Sequence, residues 1–127
     1  MSRAPVARRR HTPDPRATEL DCETTIIQGA RILGYLVHGE RPARTLGQGW
    51  VTPIKGDAGW PDLVIAGHGH CLVVELKRRP RKVDAAQQTW LDVLAAAGVT
   101  TGVVWVPEGV DAFLDELAGL AQKGRRI

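Results

Sequence analysis

Three ionisable residues, Asp62, Glu75 and Lys77, are spaced so that they can do chemistry together. They bracket two β-rich runs, Asp62-Leu63-Val64-Ile65-Ala66 and Cys71-Leu72-Val73-Val74-Glu75-Leu76-Lys77. Between the runs stands Gly67-His68-Gly69-His70, a hairpin signal. A hairpin symmetric about His68 and Gly69 sets Ala66 opposite Cys71, Val64 opposite Val73 and Asp62 opposite Glu75. Opposed residues of an antiparallel pair have Cβ atoms about 4.5–5.5 Å apart. Side chains alternate faces along a strand, so Lys77 shares the face of Glu75, one step further on. Two opposed carboxylates repel, and such a pair either raises one pKa or captures a cation. Hard oxygen ligands in a pocket open to water suit Mg²⁺ or Mn²⁺, which keep several waters and accept phosphate oxygens. Lys77 beside such an ion can hold or activate a water and offset charge on a phosphate under attack. A plainer account uses the same residues. Asp62 is then a strand-start residue after Pro61, and Glu75 a solvated edge charge paired with Lys77, worth only about 0–1 kcal/mol.

Positioning this trio requires a sheet covered on both sides. Leu63, Ile65, Leu72 and Val74 make one face of the hairpin apolar, and Val64 and Val73 do the same for the other. Such strands are normally sandwiched between helices. The flanking sequence supplies them. Thr18 is an N-cap with Asp21 three residues on, and the stripe Ile26, Ile27, Ala30, Leu33 runs to Gly34. A short strand, Tyr35-Leu36-Val37-His38, follows, and then a long loop over 39–60 that contains five glycines, Trp50, Arg41, Arg44 and Lys55. After the hairpin, Asp84 caps a helix through about Ala97, with Gln87 at its third position and Gly98 at its end. Residues 99–106 read as a strand, and a last amphipathic helix carries Val110, Phe113, Leu114, Leu117 and Leu120. The predicted order is α-β-(loop)-β-β-α-β-α.

At 127 residues the chain has room for one domain with one modest core. We divide it into a basic arm over 1–17, rich in Arg and Pro, a folded unit over 18–122, and a basic tail over 123–127. No apolar run is long enough for a membrane span, and the N-terminus has no apolar stretch behind its arginines, as a secretory signal would. Cys22 and Cys71, without CxxC spacing, are expected as reduced thiols in a cytoplasmic protein. His68, His70 and Cys71 look more like a turn than a zinc site. The net charge is only +3, but it is clustered in the arm, in Lys77-Arg78-Arg79 with Arg81 and Lys82, and in the tail. Clustered positive charge is the footprint of a polyanion binder, and it is also found on surfaces that are merely soluble.

Gly59-Trp60-Pro61-Asp62-Leu63, then Val74-Glu75-Leu76-Lys77, then Gln87-x-x-Trp90-Leu91 resemble the PD-(D/E)xK nuclease superfamily, and within it the VRR-NUC (virus-type replication-repair nuclease) family. The similarity extends from about Glu19 to Val110. It implies an α/β restriction-endonuclease-like core, a mixed central sheet flanked by helices in the order α-β-β-β-α-β-α. It also implies a Mg²⁺-dependent endodeoxyribonuclease in which Mn²⁺ can substitute. By this resemblance Asp62 and Glu75 are metal-binding carboxylates, the Leu76 carbonyl is a further ligand, and Lys77 is the catalytic lysine. Gln87 lies near the scissile phosphate, and an acid on the first helix assists the metal, Glu19 aligning best with Glu23 as the alternative. The residues themselves also allow Gln87 to be the capping partner of Asp84, and Glu19 and Glu23 to be first-turn acids that complement a helix dipole. Stand-alone members of the family resemble homodimeric enzymes that cut branched DNA such as four-way junctions, and a unit this compact fits a phage or mobile-element genome. No small-molecule cofactor is expected. Arg41, Arg44, Lys55, Arg78, Arg79, Arg81 and Lys82 are the expected DNA contacts. The same scaffold also suits a restriction- or exonuclease-type enzyme working with a partner, or a non-catalytic nucleic-acid-binding module.

Overall fold

The structure, a computed structural model, describes residues 16–40, 43–45, 49–51 and 55–124. The basic arm up to residue 15 and residues 125–127 of the tail lie outside the described residues. In chain order the elements are α1 (Glu19–Ile32), β1 (Leu36–Gly39), β2 (Ala43–Thr45), β3 (Gly49–Val51), β4 (Leu63–Gly67), β5 (His70–Lys77), α2 (Ala85–Ala96), β6 (Thr100–Trp105) and α3 (Val110–Gly124).

Local signals explain most of these boundaries. At the start of α1, Thr18 Oγ1 accepts from Asp21 N at 3.1 Å and Asp21 Oδ2 accepts from Thr18 N at 3.0 Å, a reciprocal capping box. The helix buries Cys22, Ile26 and Ala30, and Gly34 takes the chain out of it with φ +94°. His68 and Gly69 both have positive φ, 53° and 82°. That makes a two-residue turn of the kind whose twist matches paired strands. His68 tolerates the strained conformation because its ring is held, with Nε2 at 2.8 Å from Leu33 O and the ring edge-on to Tyr35.

The main sheet has the order β1-β4-β5-β6. Pairs β1–β4 and β4–β5 are antiparallel, and the register Ala66↔Cys71, Val64↔Val73, Leu63↔Val74 is the one expected from a turn at His68-Gly69. Pair β5–β6 is parallel, so the chain must cross the sheet between them, and α2 is that crossover. One face of the sheet offers Leu63, Ile65, Leu72, Val74 and Leu76 to Ile26 and Ala30 of α1 and to Phe113, Leu114 and Leu117 of α3. Tyr35 is buried here and donates its hydroxyl to Leu117 O at 2.6 Å. The opposite face carries Val73 and packs under α2, whose Leu91 is buried and whose Leu91 carbonyl accepts from Thr101 Oγ1 at 3.2 Å. This three-layer arrangement is the predicted one. Among the described residues, no helix is long and apolar enough to cross a membrane.

Three details differ from the sequence expectation. Tyr35 is a buried link between Gly34 and β1, not a strand residue, because its N–H bonds back to Ala30 O. The segment expected to be a plain loop holds a two-stranded antiparallel ribbon, β2–β3, with Arg44 opposite Trp50. Backbone pairing over three residues leaves too short an alternation to be seen in sequence. Finally, α3 runs on to Gly124 and so takes in Lys123, the first residue of the expected tail.

Candidate active site

Asp62 stands just before β4, where the register would continue the hairpin by one more rung. The pairs Leu63↔Val74, Ile65↔Leu72 and Gly67↔His70 are separated by two residues each, and a two-residue turn closes on a hydrogen-bonded pair, here Gly67↔His70. The next such pair would be Pro61↔Leu76. Pro61 has no N–H to give. The Leu76 N–H instead donates to Asp62 Oδ2 at 2.7 Å, and strand geometry turns the Leu76 carbonyl to the same side. The PD dipeptide therefore ends the ladder, fixes the Asp62 carboxylate, and leaves a backbone oxygen beside it without its ladder donor.

Glu75 points to the α2 side of the sheet and is 3 % exposed, the one buried charged residue among those described. Its Oε1 accepts from Gln87 Nε2 at 3.1 Å and lies 4.0 Å from Lys77 Nζ. Its Oε2 is buried and, while the group is ionised, has no hydrogen-bond partner among the described residues. Burial pushes the Glu75 pKa up to about 9, and the adjoining Asp62 carboxyl adds to this by accepting a hydrogen bond from the neutral form and by repelling the charged one. Lys77 offsets part of that, and Asp84 adds to it. The plainer account of a solvated Glu75–Lys77 pair does not hold, because the carboxylate is inside.

Gln87 completes the capping box of α2 and also bonds to Glu75. Asp84 Oδ1 accepts from Gln87 N at 2.9 Å, and Gln87 Oε1 accepts from Asp84 N at 3.1 Å, so the capping box is complete. With its oxygen held there, the amide has its NH₂ free to reach Glu75.

The two acids on the first helix, Glu19 and Glu23, occupy different surroundings. Glu19 faces Arg81, with Oε1 3.4 Å from Nη1. Glu23 is half-buried and its Oε1 lies beside Gly39, whose partner across the sheet, Leu63, directly follows Asp62. Burial raises the Glu23 pKa, and the charges of Asp62 and then Glu19 raise it further. Helical spacing placed both acids on one stripe; only the packing against β1 separates them.

The basic residues divide as well. Arg79 pairs with Glu108 and lies 4.4 Å over the Trp105 ring, Arg81 pairs with Glu19, and Arg78 donates to the Ala17 carbonyl. These three brace the end of β5 against neighbouring elements. Lys55 and Lys82 are exposed. Arg41 lies outside the described residues, as does the side chain of Arg44.

These features fit a hard divalent cation. An orphaned, buried carboxylate oxygen, a second carboxylate and a backbone carbonyl converge on one edge of the sheet. Among the described residues, no three His, Cys, Asp or Glu side chains form a closed cluster. Mg²⁺ needs none, since it usually takes one or two carboxylates and completes its shell with water and substrate phosphate.

A solved structure described as a VRR_NUC domain superposes on the chain with a TM-score of 0.56. The chain shares the fold of a VRR_NUC domain. The match covers 78 % of this chain and 97 % of that one, at 24 % identity. No protein-family model matches the sequence, and no curated protein is significantly similar to it. The likeness to the VRR_NUC domain is thus one of architecture, and it agrees with the resemblance carried by the Pro61-Asp62, Glu75-Leu76-Lys77 and Gln87 motifs. Sequence inspection missed two features of this region. One is the Trp60–Trp90 pair, whose rings meet edge to face at 4.9 Å. The other is the Trp90 Nε1–H donated to the carbonyl of Ala58 at 3.0 Å, which ties the approach to Asp62 onto α2.

Proposed function

We propose that this protein is a metal-dependent endodeoxyribonuclease that hydrolyses phosphodiester bonds in branched DNA. The observation that carries the proposal is Glu75, a carboxylate buried with one unpartnered oxygen, held against Asp62 and within reach of Lys77. A group so costly to ionise has a use for a cation, and the fold shared with a VRR_NUC domain points to a nuclease. Asp62, Glu75 and the Leu76 carbonyl would hold Mg²⁺, with Mn²⁺ as a substitute and Glu23 as the assisting acid. When bound, the ion supplies charge stabilisation for a phosphate and a more acidic water. The chain's own residues do the rest. Gln87 holds Glu75 in place through Oε1. The Lys77 ammonium, on the same face as Glu75, orients a water and offsets charge on the phosphate in the transition state. Two copies related by a two-fold axis would present two such sites symmetrically, which suits paired nicks in a four-way junction.

The test is one cleavage panel with purified protein. Four-way junction, splayed, single-stranded and linear duplex DNA are incubated with Mg²⁺, Mn²⁺ or EDTA. Metal-dependent cutting that favours the junction and disappears in Asp62→Ala and Lys77→Ala is the expected result. Tight binding without cutting in either metal would leave a non-catalytic binding module. Cutting of linear duplex as fast as junction would overturn the branched-DNA assignment.

A further inference from the structure

We propose that the cavity between residues 57–58 and the outer side of α2 receives one unpaired nucleobase of the DNA strand. The proposal rests on the nuclease reading for its class of ligand. The cavity has a volume of about 410 Å³ and is lined by Asp57, Ala58, Ala86, Thr89, Trp90 and Val93. Positions 86, 89, 90 and 93 follow helical spacing and form one side of α2. Gln87, on the next side of the same turn, touches Glu75. The cavity is therefore one helix side away from the carboxylates, and the chain between Ala58 and Asp62 joins the two directly.

Its aromatic wall is rigid. Trp90 Nε1 donates to Ala58 O at 3.0 Å, and the Trp60 ring packs against it at 84°. Gly59 makes the close approach possible: its φ is +97°, and a Cβ there would lie 2.6 Å from the backbone of Ala86. Apolar surface of the cavity wall nonetheless remains open to water, with Val93 58 % exposed. A held indole beside an open apolar cavity is what a nucleobase stacks on, and every base has the π-face to do so. The volume lies within the roughly 300–1,000 Å³ of ligand sites, enough for a base and part of its sugar. Exposed Lys55, two residues before Asp57, and Lys82, two before the cap of α2, supply positive charge for the adjoining phosphates. A base within duplex DNA is stacked and paired, whereas one at a junction or flap is free to enter. The cavity thus gives a physical basis for preferring branched over linear DNA.

The experiment measures binding of the full chain in EDTA, by fluorescence anisotropy, to a labelled single-stranded oligonucleotide and to an abasic deoxyribose-phosphate oligomer of the same length. The intact strand is expected to bind about fivefold to a hundredfold more tightly, the range of one stacked base. Thr89→Phe, which places a ring in the cavity from an exposed helix position, should remove that advantage and leave abasic affinity unchanged, with circular dichroism showing an intact fold. Trp90→Phe, which keeps a ring and loses the anchor, should fall between. Equal affinity for both strands, or no effect of Thr89→Phe, overturns the proposal. So does a change in oligomeric state with Thr89→Phe at unchanged DNA affinity, which would make the cavity a contact between copies. Cleavage in Mg²⁺ is scored separately: cutting without base discrimination overturns only the cavity proposal, and discrimination without cutting overturns only the nuclease reading.

Discussion

Glu75→Gln should make the metal-free protein more stable at neutral pH while abolishing cleavage. In the folded chain burial and the Asp62 carboxyl raise the Glu75 pKa from 4.5 to about 9, whereas in the unfolded chain it returns to its ordinary value. Folding therefore takes up a proton between those limits. Stability from this group is complete below about pH 4.5, falls as pH rises, and is fully lost above about pH 9. At about 1.4 kcal/mol per pH unit, some 3 kcal/mol is lost by pH 7. Screening by water at the mouth of the site brings that to about 2 kcal/mol, a shift in Tm on the order of 5–10 °C. The glutamine has the same shape and does not titrate, so its curve lacks this slope. Glu23 contributes a slope of the same sign, and the difference between wild type and Glu75→Gln removes it. Urea unfolding in EDTA at pH 4.5, 6, 7 and 8 reads the effect directly. Adding Mg²⁺ should restore wild type and leave the variant unchanged, because only the carboxylate gains a ligand. Parallel pH profiles for the two proteins, or a variant less stable than wild type at pH 7, would refute the account of Glu75 as a buried acid awaiting a cation.

Asp84→Ala removes the acceptor for Gln87 N and should cost about 1 kcal/mol in urea unfolding. It should also slow cleavage by loosening the Gln87 amide, while Asp84→Ser keeps both. Glu23→Gln should raise the Mg²⁺ concentration needed for half-maximal cutting, whereas Glu19→Gln, which loses only the Arg81 pair, leaves that titration in place. Lys82→Ala should reduce the salt dependence of DNA binding by about one counterion. Arg79→Ala, whose charge is engaged with Glu108 and Trp105, should leave the salt dependence unchanged and cost about 1 kcal/mol or less in stability.

Much of this was legible because it is local. Thr18 with Asp21 and Asp84 with Gln87 are capping boxes that span four residues each, and each helix begins where its box lies. The turn residues His68 and Gly69 set the register, and the register alone brings Glu75 to the level of Asp62. What stayed hidden depends on contacts far apart in sequence. Helix periodicity could not separate Glu23 from Glu19, since the distinction comes from Gly39 on β1 and Arg81 after β5. The charge run at 77–82 looked uniform, yet its arginines find partners at Ala17, Glu19 and Glu108. The β2–β3 ribbon rests on backbone pairing that its residues do not advertise. Nor does sequence spacing link Trp60 to Trp90, which meet only because α2 folds back over the chain before β4.

The parallel pairing of β5 with β6 has one more consequence. A strand–helix–strand connection of this kind is almost always right-handed, because L-residues twist strands and wind helices in one sense. That chirality decides which side of the sheet α2 covers, and so which parity of residues along β5 meets it. The odd-numbered residues Val73, Glu75 and Lys77 face α2, and the even-numbered Leu72, Val74 and Leu76 fill the core under α1 and α3. Inserting or deleting a single residue between His70 and Leu72 would exchange the two sets, driving a carboxylate and an ammonium into the core and two leucines into the site. The one-residue gap between Glu75 and Lys77 is in this sense a reading frame, and the handedness of the crossover is what sets its phase.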